Sequence, residues 1–136
     1  MNRKRLQKLA EIRLREAKLL FSASAPDGAY YLAGYAVECA MKSCIARSTN
    51  KHDFPDLKRV QRSYTHKLSE LISVAGLDSE HREAMRELEF AYRWDIVAQW
   101  SEGSRYNEWS LQEAEALIEA IENRRHGALQ WLRKYW

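Results

Sequence analysis

An all-α fold is what this sequence predicts, and three observations carry that expectation. Apolar residues recur at steps of three and four along most of the chain, which is the period of a helix face. Only two prolines and five glycines interrupt 136 residues, too little punctuation for many short strands. No stretch shows the strict alternation of a half-buried strand. At 46% hydrophobic and 30% charged residues, the composition is that of a folded chain rather than a disordered one. Its length is that of one domain, residues 1–136, with a sizeable core.

The first helix is expected over about 3–22, with Leu6, Ala10, Leu14, Ala17 and Phe21 on one stripe. "SASAPDG" breaks it, and Pro26 suits the first turn of a second helix over about 26–47. That helix is apolar nearly all round and rich in small residues, such as Ala29, Ala33, Gly34, Ala36 and Ala40. Burial on several sides follows, and a second subunit is the simplest extra cover. The sequence therefore predicts a homodimer formed through the second helix.

Residues 48–64 form a long connection, kept irregular by Asp53 and Pro55, with a turn or two of helix at 57–63. Thr65 is placed to cap a short third helix, "HKLSELISVAG", which Gly76 ends. Leu68, Leu71, Ile72 and Ala75 face inward there. Asp78 or Ser79 caps a fourth helix with a stripe of Met85, Leu88, Tyr92 and Ile96. "SEGSRYNEW" reads as a loop. Ser110 and Glu113 form a capping box opening a fifth helix, whose inner face is Ala114, Leu117, Ile121, Ala128 and Leu132. Four substantial helices and a short one predict an antiparallel helical bundle.

The net charge of +3 is unevenly spread. Residues 1–18 hold seven arginines or lysines against Glu11 and Glu16, and residues 47–67 hold six against Asp53 and Asp56. Such clusters suit phosphate-bearing partners or are simply solvated helix faces. The opening "MNRKRLQKLAEIRLREAK" is charged throughout, so neither a signal peptide nor a membrane span is expected. Cys39 and Cys44, five apart on one predicted helix, point to different faces and cannot pair. They read as small buried hydrophobes of a reducing, cytoplasmic setting.

Within the greasy stretch "YYLAGYAVECAMKSCIA" sit Glu38 and Lys42, four apart with the carboxylate on the N-terminal side. Two readings fit. One is a self-neutralising helix pair at a wet edge. The other is a pocket that needs both an acceptor and a cation, since a charged pair inside a bundle seldom beats apolar packing.

"AVECAMKSCIA" resembles the Ala-Val-Glu-x-x-x-Lys helix of HEPN domains, the higher eukaryotes and prokaryotes nucleotide-binding family. "THKLSELISVAGL" is similar to the family's His-x-Leu-x-x-Leu segment, and "SRY", Ser104 to Tyr106, to the Arg-Tyr before its last helix. "PDGAYYLAGY" is similar to its usual entry into the second helix, and the resemblance covers about residues 9–135. It implies a four-helix up-and-down bundle, commonly dimeric, often working with a nucleotidyltransferase-type partner in pairs that act as toxin and antitoxin. Active HEPN ribonucleases carry Arg-x(4–6)-His, where arginine holds phosphate and histidine does acid–base chemistry.

Arg47 with His52 and Arg59 with His66 fit that spacing, and Arg62 lies near His66 too. With four histidines and this many arginines about one match arises by chance, so two is no excess. Both pairs also lie in or around the long connection rather than in the later helices. His126 follows Arg124 and Arg125 too closely. The histidines and cysteines lack zinc spacing, and no glycine-rich phosphate loop is present, so neither metal nor cofactor is expected. Trp94, Trp100, Tyr106 and Trp109 bracket the "SEGSRYNEW" loop and read mainly as packing. Arg105 and Tyr106 also place a cation and a ring where a base or phosphate is bound.

The expectation is a domain that binds a nucleotide or RNA, with Glu38, Lys42, His66, Arg105 and Tyr106 lining one recess. Its rivals are a ribonuclease toxin using Arg59 or Arg62 with His66, and a non-catalytic structural partner subunit.

Overall fold

The computed structural model describes residues 1–49 and 57–136. His52, Asp53 and Pro55 therefore lie outside the described residues, and so does the Arg47–His52 spacing. Among the described residues the fold is all-helical, with no strand.

Helix α1 spans Arg3–Ser22, capped by Asn2, whose side chain accepts from the Arg5 amide at 2.9 Å. Its buried residues are Leu9, Ala10, Leu14 and Ala17, while the expected stripe ends Leu6 and Phe21 are half-buried. Helix α2, Pro26–Ser48, carries proline in its first turn and packs along α1. Helix α3 is Leu57–Ser63, α4 Leu68–Val74, α5 Asp78–Ala84 and α6 Leu88–Ala98. A 3-10 turn, Glu102–Tyr106, precedes α7, Leu111–Glu122, and α8, Ala128–Leu132.

Helix α2 is the hub. It touches α1, α4, α7, α8 and the 3-10 turn, and its small residues let them come close. Ala29, Ala33, Ala36 and Ala40 are fully buried. Much of the cover expected around α2 comes from the chain itself, while Tyr31, Leu32 and Tyr35 stay partly exposed. At Gly34 an added Cβ would lie 2.2 Å from the Trp100 ring, so the indole rests directly on the α2 backbone. Its Nε1 donates to the Tyr31 carbonyl at 3.1 Å, which fixes it there.

Two expected helices are interrupted. The fourth stops after Ala84 and restarts at Leu88. Leu77, not Asp78 or Ser79, holds the N-cap position of α5, with no side-chain cap. The buried face of α6 is Phe90, Trp94 and Val97; of the expected stripe, Met85 and Ile96 are half-buried against the core, and Leu88 and Tyr92 are not. Two apolar stripes compete on that helix, and the one with the larger rings wins burial. Phe90 and Trp94 pack with Trp131 and His81, with Trp94 and His81 centroids 4.5 Å apart. Leu88 and Tyr92 are left outside, 80% and 65% exposed.

The fifth helix breaks at 123–127. The Asn123 side chain accepts from the Arg125 and His126 amides, which competes with helix continuation. A Cβ at Gly127 would lie 2.5 Å from the Asn123 carbonyl oxygen, so only glycine fits that turn. Ala114, Leu117, Ile121, Ala128 and Leu132 are nonetheless all buried, on α7 and α8. The Ser110–Glu113 capping box opens α7 as expected. Gly76 ends α4 at φ +73°, the left-handed position that favours glycine, and the Leu77 amide reaches back to the Ile72 carbonyl at 3.1 Å.

Cys39 and Cys44 are free and buried. Burial pushes their thiols up to about 11 and about 12. Among the described residues no helix is long and apolar enough to cross a membrane.

Candidate functional site

Along α2 one face stays partly open, and it carries Tyr31, Tyr35, Glu38 and Lys42 at helical spacing. Across from it run the segment before α4 and the 3-10 turn. Thr65 does not cap α4 directly; its hydroxyl accepts from the Lys67 amide at 3.2 Å, and Lys67 takes the cap position. His66 therefore sits ahead of the helix, free to turn its ring toward α2.

Glu38 is the centre of the site. It is 2% exposed, and its Oε1 accepts from Lys42 Nζ at 3.0 Å and faces His66 Nδ1 at 2.8 Å. Its Oε2 is buried and has no hydrogen-bond partner among the described residues. A buried carboxylate with one oxygen doubly engaged and the other bare is costly to keep. Packing alone does not explain its presence.

The polar run continues outward. His66 Nε2 lies 3.5 Å from Glu102 Oε2, and Glu102 Oε1 accepts from Arg105 Nη1 at 3.2 Å. The Arg105 guanidinium stands 4.8 Å over the Tyr106 ring, which is itself 78% exposed. Hydrogen bonding to Tyr106, then to Tyr31, holds the Arg105 guanidinium above its ordinary range. Ser101 and Ser104 cap one another across the turn, which fixes how Glu102 and Arg105 project.

All five residues expected to line a recess thus lie along one run of contacts. Among the described residues Arg105 is linked to Glu38 through Glu102 and His66 rather than by a direct ion pair. Glu102 is the member that sequence reasoning missed. Its signal was there: it precedes Arg105 by three in a serine-capped turn, the spacing of a local ion pair.

The arginines paired by spacing with His66 go elsewhere. Arg59 hydrogen-bonds the Ser48 hydroxyl, and Arg62 is exposed on α3. Arg47 donates to the Lys134 carbonyl at 3.3 Å. Among the described residues, then, the polar partners of His66 are two carboxylates, Glu38 and Glu102. Trp94 and Trp100 are core residues. Trp109 stacks on Tyr30 at 3.6 Å, and its amide donates to Asp27 at 2.6 Å, tying the loop to α2. No group of residues among those described is arranged to hold a metal ion.

No protein-family profile, curated protein or solved structure matches the chain.

Proposed function

We propose that the chain is a HEPN-like domain that binds a nucleotide or RNA along the run from Lys42 to Tyr106. We infer for it an antiparallel four-helix bundle, with α1, α2, α5–α6 and α7–α8 as legs and α3 and α4 as additions. The observation that carries this reading is the buried Glu38 carboxylate, which gathers Lys42 and His66 from different elements. Three of the sequence stretches that resemble the family, those holding Glu38 and Lys42, His66, and Arg105 and Tyr106, each supply members of this one run.

The chemistry suits a phosphate-bearing ligand. Lys42 is about a quarter exposed and spends one of its three donors on Glu38, leaving others for an anionic oxygen. Arg105 is a fork of donors at the solvent edge, pre-oriented by Glu102. Tyr106 offers its exposed ring for base stacking. Binding rather than cleavage is favoured because the polar partners of His66 among the described residues are the carboxylates Glu38 and Glu102, not Arg59 or Arg62.

Titrating ATP and a short single-stranded RNA against the protein tests this. Arg105→Ala or Tyr106→Ala is expected to weaken whichever ligand binds by roughly tenfold, given about 1–3 kcal/mol per stacked base. The RNA should remain full length. Binding that ignores both substitutions defeats the reading, and RNA cleavage abolished by His66→Ala replaces it with a nuclease.

A further inference from the structure

The outer side of α6, from exposed Tyr92 to half-buried Ile96, lines a groove whose other wall is α7. Tyr92 and Ile96 look across it at Gln112, Glu115, Ala116 and Glu119. Leu88 extends the apolar strip by one turn and is the more exposed of its two large residues. A leucine and a tyrosine four apart on one helix face, left exposed by the described residues, mark a contact surface.

The rim narrows down what can sit there. Glu89 and Glu119 both pair with Arg93, at 2.9 Å each. Asp95 and Glu115 are exposed and have no ion-pair partner among the described residues. Four carboxylates against one guanidinium leave the rim strongly acidic. Nucleic acid and anionic lipid are repelled by such a rim. A second copy related by a two-fold axis would press the same carboxylates against one another. A head-to-tail contact with the basic outer face of α1 need not close into a dimer and risks open-ended growth.

We propose that the α6–α7 groove docks an amphipathic basic helix of a partner protein. Its apolar residues, at steps of three and four, lie on Leu88, Tyr92 and Ile96. Its flanking lysines or arginines meet Asp95 and Glu115. This surface is separate from the polar run on α2 and stands or falls without it.

The probe is a synthetic amphipathic helix of leucine and lysine, compared with a leucine–glutamate counterpart. The lysine peptide is expected to bind, less tightly as salt rises, and the glutamate peptide is not. Leu88→Ser with Tyr92→Ser should weaken binding by roughly tenfold at unchanged melting temperature, since both side chains are exposed. Glu115→Lys should weaken it as well. Equal binding of both peptides, no binding of either, or binding indifferent to the Leu88 and Tyr92 changes overturns the proposal. So does a concentration-dependent rise in mass by light scattering that these two substitutions abolish, because a second copy then covers the groove.

Discussion

Replacing Glu38 and Lys42, singly and together, exposes the physics of the site. Glu38→Gln keeps the volume and an acceptor oxygen but removes the charge, and Lys42→Met keeps the aliphatic stem. Breaking a fully buried ion pair from one side costs about 3–5 kcal/mol, whereas an exposed pair is worth about 0–1 kcal/mol. This pair is asymmetric: Glu38 is buried, and the Lys42 side chain is 23% exposed. Lys42→Met leaves the carboxylate with His66 as its remaining donor, so about 2–3 kcal/mol is expected, below the fully buried limit. Glu38→Gln strands an ammonium that can turn to water, so about 1–2 kcal/mol is expected. The double variant buries no charge there and should be less damaging than Lys42→Met alone. Urea unfolding followed by circular dichroism gives all three values, and a coupling of about 1–3 kcal/mol is expected. Small, additive effects would refute the reasoning and leave Glu38 and Lys42 an ordinary helix pair.

Gly34→Ala should destabilise by about 3 kcal/mol or more, the overpacking limit, because the new methyl meets a Trp100 ring pinned by its bond to Tyr31. A rise in melting temperature, as helix propensity alone would give, contradicts that packing. Cys39 and Cys44, with thiols pushed up to about 11 and about 12, should resist a thiol reagent at pH 8 and react only on unfolding. Rapid labelling of the native protein would contradict their burial. His81 is pushed below its ordinary value by burial, with Asp78 opposing, and its Nε2 is buried with no hydrogen-bond partner among the described residues. The unfolded chain then binds the proton more readily, so stability from this group is present above the ordinary value of 6.5 and falls away as pH drops below it. His81→Phe should flatten the decline in urea midpoint between about pH 7 and 5; an unchanged slope would place its cause elsewhere.

The helical class was legible because periodicity, capping and helix breakers agree over most of the chain. Pro26, Gly76 and the Ser110–Glu113 box each act within a few residues, and short-range signals survive folding. What was not legible depends on tertiary competition. Leu88, Tyr92 and Ile96 form as good a stripe as Phe90, Trp94 and Val97, and only the rings of Trp131 and His81 decide between them. The break at Asn123 required a side chain to outbid the helix for two amides. The charged pair of the site announced itself by its apolar surroundings. Its link to Arg105 did not, because Glu102 gains meaning only when His66 stands opposite.

The central claim, that a phosphate-bearing ligand lies along the run from Lys42 to Tyr106, is tested most directly by mapping where one binds. Isotope-labelled protein titrated with the short RNA, or with ATP, would be followed through the ring signals of His66 and Tyr106 and the side-chain signal of Arg105. The account predicts saturable shifts at these groups, with the basic outer face of α1, from Arg3 to Lys18, moving little. Shifts confined to that basic face, with His66, Arg105 and Tyr106 silent, would contradict it.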